Sequence, residues 1–224
     1  MNKIIVKHDH PNYLAKWRAL PEGSRYNGAY YYSHDIEKYI VPNIKTDRPI
    51  NVIGVRGCGG KDRMIVFIHH HLHPEMYDWL KKYKDIIIVT SNEEFGKQLT
   101  HLGTVIHLPL SVNVEEVLKH KVDKKTKNAC YFGNPWKFKK GDLEKFVPKN
   151  VDTFPPMSKE ELLSKVAEYK ECYAIGLCAI EAKILGCKIK KCDSRFPYPN
   201  KVFKVLDCKD AAKILQEKLD EIDK

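Results

Sequence analysis

Long hydrophobic runs are missing from this 224-residue chain. The longest, Ile86-Ile87-Ile88-Val89 and Met64 to Ile68, fall far short of the ~20 apolar residues that cross a bilayer as a helix. No transmembrane helix is therefore expected. The amino end, Met1-Asn2-Lys3-Ile4-Ile5-Val6-Lys7, returns to charge after three apolar residues, too soon for the hydrophobic stretch of a secretory signal. Seven cysteines, an odd number with no CxxC pair among them, give neither a disulfide framework nor the paired clips of a structural zinc site. Reduced thiols in a cytoplasmic protein are the expectation.

Glycine and proline are also modest, at 12 each, and there is no internal repeat and no low-complexity tract, which excludes collagen-like and disordered chains. With 43% hydrophobic residues over this length, folding can bury about 70% of the unfolded surface, enough for a real core. Acid is the scarcer charge: 39 Lys and Arg against 29 Asp and Glu leave a net charge of +10. That surplus favours anionic partners such as nucleotides, nucleic acid or acidic lipids. Scattered lysines also make an ordinary solvated surface, and charge does not choose between the two.

What is present is alternation. Apolar runs of strand length alternate with amphipathic runs of helix length, the signature of βαβ units around parallel sheets, so the fold class is α/β. Strands are expected at Ile4 to Lys7, Asn51 to Val55, Met64 to His70, Asp85 to Thr90 and Thr104 to Leu108. Helices are expected at Ser33 to Val41, Glu75 to Tyr83, from a capping box at Ser91-Asn92-Glu93-Glu94 to Gly103, and from Asn113. Lys119 to Lys127 holds one apolar residue in nine and reads as a linker. Beyond it the expected strands are Ala129 to Phe132, Val151 to Phe154, Cys172 to Ala174 and Cys187 to Lys191. The helices there are Asp142 to Phe146, one begun by Ser158-Lys159-Glu160-Glu161, Cys178 to Leu185 closed by Gly186, and Cys208 to Ile222. Two Rossmann-like lobes with parallel sheets follow, over residues 1–120 and 128–224, joined by 121–127.

Familiar phosphate motifs are absent. In Gly54 to Asp62, Val55 and Asp62 stand where a Walker loop needs a glycine and a hydroxyl, and no GxGxxG pattern occurs. His69-His70-His71-Leu72-His73 ends an expected strand and carries three readings: a metal site, a polar strand end at the sheet's carboxyl edge, or one catalytic or substrate-contacting histidine. Ala174 to Ile189 places a glycine turn before a helix, with Glu181 expected in its first turn. Such a turn aims backbone N–H groups at a phosphate, and a carboxylate there can accept ribose hydroxyls. The same pattern also describes a plain helix with an acidic start and a glycine C-cap.

The last stretch, with Gly176-Leu177, Glu181-Ala182 and Gly186-Cys187, resembles the nucleotide-sugar motif of retaining family-4 glycosyltransferases of the GT-B fold. Phe67-Ile68-His69, Asp85 to Ser91, Leu108-Pro109-Leu110-Ser111-Val112-Asn113, and Tyr131-Phe132-Gly133 with Lys139-Lys140-Gly141 resemble other elements of that family in the same order. The likeness spans about residues 26 to 215, in a chain short for the fold. Asn134 stands where the family has a diphosphate-binding arginine, leaving Lys137, Lys139 or Lys140 to carry that charge, and Tyr173 stands where it has a second glutamate.

The resemblance implies a compact GT-B, metal-independent transferase that takes a nucleotide-diphosphate sugar and uses no resident cofactor. It implies that Glu181 binds the ribose and that N–H groups of Gly176, Leu177 and Cys178, with Lys139 or Lys140, stabilise the departing diphosphate. It further implies that His69 contacts the sugar, and that Gly28 and Gly133 belong to loops beside the phosphates. The acceptor is left open between a hydroxylated DNA base and a membrane-surface glycolipid or wall precursor. The rival expectations are a non-catalytic nucleotide-binding protein of the same fold and a nucleic-acid-binding α/β module.

Overall fold

The computed structural model describes residues 6–8, 28–53, 63–68, 77–78, 80–133, 145–155, 157–190, 192 and 205–224. The fold is α/β, and every strand pair in its three sheets is parallel. The described residues divide into two compact units.

Unit 1 takes Val6–His8, Ser33–Leu110 and Cys208–Lys224 among the described residues. Its five strands lie in sequence order: β1 (Val6–His8), β2 (Ile50–Ile53), β3 (Arg63–Ile68), β4 (Asp85–Thr90) and β5 (Thr104–His107). β3 and β4 are buried on both faces from Met64 to Ile68 and from Ile86 to Thr90, which is why they read as unbroken apolar runs. Their register pairs Met64 with Ile86 and Ile68 with Thr90. One face of this pair forms a core of Met64, Val66, Ile68, Leu80, Ile86, Ile88, Leu99 and Leu102.

Helix α1 (Gly28–Asp35) continues as a π-helical turn over Ile36–Ile40 and a 3₁₀ turn over Val41–Asn43, where a single α-helix to Val41 was expected. Val41 N–H donates to Ile36 O, the longer bond of a π turn, while Ile36 and Ile40 stay buried. Pro42 then lacks the N–H that would continue the ladder. Helix α2 (Glu93–Leu99) is capped by Asn92, whose side chain accepts from Phe95 N. The expected capping box one residue earlier does not form, since Ser91 precedes the cap. Gly103 lies past the helix end, in the bend before β5.

Unit 2 takes Ser111–Asp207 with residues 28–32, again among the described residues. β6 (Ser111–Val112) pairs with β10 (Leu206–Asp207), and Asp207 accepts from Val114 N at the start of α3 (Val114–Leu118), beside the Asn113 cap. A second sheet orders β7 (Lys127–Phe132), β8 (Tyr169–Ala174) and β9 (Lys188–Lys190) with β8 central. Helix α4 (Lys159–Ala167) starts with the expected capping box, Ser158 and Glu161 each accepting from the other's backbone N–H. Helix α5 (Gly176–Ile184) and the long α6 (Cys208–Ile222) complete the described helices of more than one turn.

Three boundaries differ from expectation. The passage between units falls at Leu110 and Ser111 instead of at 121–127, and α6 groups with unit 1 instead of closing a 128–224 lobe. The lysine-rich stretch is fixed within unit 2, because Thr126 N and Lys127 N donate to Glu168 O and Lys125 Nζ donates to Ala167 O. The expected strand Val151 to Phe154 is reduced to one bridge between Asp152 and Cys130. The expected helix Asp142 to Phe146 lies mostly outside the described residues; of the helix expected at Glu75 to Tyr83, residues 75, 76 and 79 lie outside them, and Tyr77, Asp78 and Leu80 are helical.

Candidate functional site

In unit 2 the carboxyl edge of the β7-β8-β9 sheet is the place where a parallel α/β layer offers ligands its strand ends and helix starts. The register Phe132 to Ala174 brings Gly133, just past β7, beside Ile175 and Gly176, just past β8. A Cβ on Gly133 would come 2.5 Å from the Tyr131 hydroxyl oxygen, so this glycine lets the buried Tyr131 ring reach the strand's end. Gly176 adopts φ +57, the left-handed turn that glycine takes at least cost, and its Cβ position meets no described atom within 4 Å. The Ile175 cap position is extended and gives α5 no side-chain hydrogen bond, so the amides of its first turn are not capped from there.

At its far end α5 closes as a Schellman motif. Gly186 at φ +83 donates to Lys183 O, and Cys187 N to Ala182 O. Because the helix begins at Gly176, two residues before the expected Cys178, Glu181 sits in the second turn and the first turn holds no acid. Leu177 is buried as a core side chain and Cys178 is half-buried, which leaves their backbone N–H groups as the parts suited to an anion.

Glu181 is wholly buried. Its Oε1 lies 3.0 Å from Nζ of Lys159, the first residue of α4, which is itself only 15% exposed. Lys159 is the site residue the sequence reading missed, since the capping motif explained that position by itself. The available signal was a cation on a helix's first residue, against the helix dipole. Tyr173, at the place of the family's second glutamate, is half-buried and packs against a cluster of Tyr131, Val147, Val151 and Cys192.

The cysteines of this unit are scaffold. Cys130 and Cys172 face each other across β7 and β8 with sulfurs 3.9 Å apart, and every cysteine among the described residues is a free thiol. Burial, and then the Cys130 hydrogen bond, push the Cys172 thiol well up. Burial also raises Cys187, partly offset by Lys125. Such thiols stay protonated and make poor nucleophiles. At the opposite, amino edge of the sheet, the Tyr169 hydroxyl donates to Asp152 Oδ2 at 2.8 Å. Burial and that carboxylate hold Tyr169 above the ordinary phenol range.

In unit 1 the register places Ile68, Thr90 and His107 side by side at the carboxyl edge. His107 Nε2 donates to Ser91 O at 3.3 Å, and Asn92 N donates to Thr90 Oγ1 at 3.3 Å. His69, Lys139 and Lys140, expected at the site, lie outside the described residues. Gly28, expected in a loop, is the first residue of α1. No group of three or more His, Cys, Asp or Glu among the described residues is arranged to hold a metal. No helix of the described residues is long and apolar enough to cross a membrane.

No family model, curated protein or solved structure matches the chain.

Proposed function

We infer that the chain is a glycosyltransferase of compact two-lobed GT-B type, moving a sugar from a nucleotide-diphosphate donor to an acceptor hydroxyl without a resident cofactor. The observation that carries this reading is the carboxyl edge of unit 2, where left-handed Gly176 opens α5 beside Gly133 with no cap from Ile175. Amides that Ile175 does not cap and the positive end of a helix dipole suit a diphosphate. Glu181 accepts the ribose hydroxyls, and Lys139 or Lys140 with the amides of Gly176 to Cys178 offset the charge that grows on the leaving diphosphate. His69 contacts the sugar. The anomeric C–O bond to the diphosphate breaks as the acceptor oxygen bonds the sugar and gives up its proton to the leaving phosphate. Positioning the acceptor and stabilising the leaving group therefore supply the rate without a covalent enzyme intermediate.

The test incubates the protein with a panel of nucleotide sugars and follows free nucleotide diphosphate, with DNA bearing hydroxylated bases as one acceptor arm and glycolipid vesicles as the other. One or more donors should release diphosphate, faster with the right acceptor. Absence of release from every donor overturns the transferase. The buried Glu181, already held by Lys159, favours a second reading in which the site binds nucleotide without turnover. Saturable nucleotide binding with no release selects it.

A further inference from the structure

Lys159 occupies a position that its own helix does not favour. The first residue of a helix faces the positive end of the dipole, where acids belong, and Glu160 and Glu161 follow that rule in α4. The capping box between Ser158 and Glu161 already satisfies that helix start. The ammonium is directed into α5 instead, 3.0 Å from the buried Glu181 carboxylate. Helical side chains lean toward their helix's amino end, so a carboxylate from the second turn lies over the first. The Glu181 backbone itself is three to five residues, roughly 4.5–7.5 Å of rise, beyond Gly176 to Cys178.

We propose that the Lys159–Glu181 ion pair is a latch that a diphosphate opens. The ammonium of Lys159 leaves Glu181 for the phosphate oxygens, and the released carboxylate accepts two ribose hydroxyls. Each charge keeps a partner throughout, which matters because stranding one member of a buried pair is strongly unfavourable. Lys159 also supplies a cation to a site whose sequence has Asn134 where the resembled family has arginine. The inference rests on the nucleotide reading above and adds a residue and an order of events to it.

Inorganic pyrophosphate separates the two ideas, because it carries the charge without the ribose. Calorimetry on the full chain compares the parent, Glu181→Gln and Lys159→Met. Glu181→Gln should bind pyrophosphate about tenfold more tightly, since the Glu181 charge no longer competes for Lys159, and Lys159→Met about tenfold more weakly. For nucleoside diphosphates Glu181→Gln should lose the advantage that the ribose gives the parent over pyrophosphate. Equal pyrophosphate affinity in the three proteins, weaker binding by Glu181→Gln, or no binding by any of them overturns the latch. If Lys159→Met does not fold by circular dichroism, the Glu181→Gln comparison decides alone. Nucleotide-sugar turnover with pyrophosphate binding indifferent to both residues removes the latch and keeps the transferase. The expected pyrophosphate pattern without turnover removes the transferase and keeps the latch.

Discussion

Two glycines show how different demands select the same residue. Gly176 is required by its backbone, at φ +57 with no described atom near its Cβ position. Gly103 is required by space: a Cβ there would fall 2.3 Å from Ile86 Cγ2 and 2.4 Å from Ile86 O, part of the interior strand β4. A backbone carbonyl in a buried strand cannot move aside as a flexible side chain would. Gly103→Ala should therefore cost about 2–3 kcal/mol through overpacking, and Gly176→Ala about 1 kcal/mol through backbone strain alone. Urea unfolding midpoints of the two variants check the order, and a reversed order would show that the β4 contact yields. Glu181 is a third case at this scale: read in sequence as an accessible ligand residue, it is buried against Lys159, so its removal disturbs packing as well as binding.

At the scale of elements, the amino edge of the unit 1 sheet is tied by charge. Arg48, 4% exposed, reaches Asp85 Oδ1 at 2.8 Å and Asp223 Oδ1 at 3.1 Å, and so fastens the first residue of β4 and the end of α6 to one guanidinium. Arg63 adds a contact to Asp85 Oδ2 at 3.3 Å. The Arg48 hydrogen bond holds the Asp85 carboxyl below the usual carboxylate range. A depressed carboxyl stabilises the fold fully above its unfolded value of about 3.9 and loses that contribution as pH falls through the lower folded value. The difference in urea midpoint between the parent and Asp85→Asn should be constant from about pH 7 to pH 5 and shrink toward pH 3. A difference that persists unchanged to pH 3 would sink the ion-pair account. Half-exposure of Asp85 keeps the effect small.

For the whole molecule, the decisive element is α6. It buries Cys208, Ala211, Ala212, Leu215 and Leu219 on one side, and it packs on the π and 3₁₀ turns after α1. A chain ending at Asp207 should expose amides of β3 and β4 to hydrogen exchange while β7 and β8 keep their protection. Loss of protection in β7 and β8 instead would restore the continuous second lobe over 128–224.

Much of this molecule was legible locally. The bounds of β4 and α6, the Asn113 cap, the Ser158 capping box and the Gly186 terminus agree with the sequence reading, because periodicity and capping are properties of neighbouring residues. The α/β class with parallel strands follows from the same alternation. The start of α5 was read two residues late because an uncapped glycine turn leaves no side-chain mark of a helix start. What the tertiary structure alone decided are meetings between distant residues: Lys159 with Glu181, Arg48 with Asp223, Gly103 with Ile86, and α6 with unit 1. Those depend on strand register and on which face each helix buries. A single chain's local pattern restricts both, and only the packed core selects one.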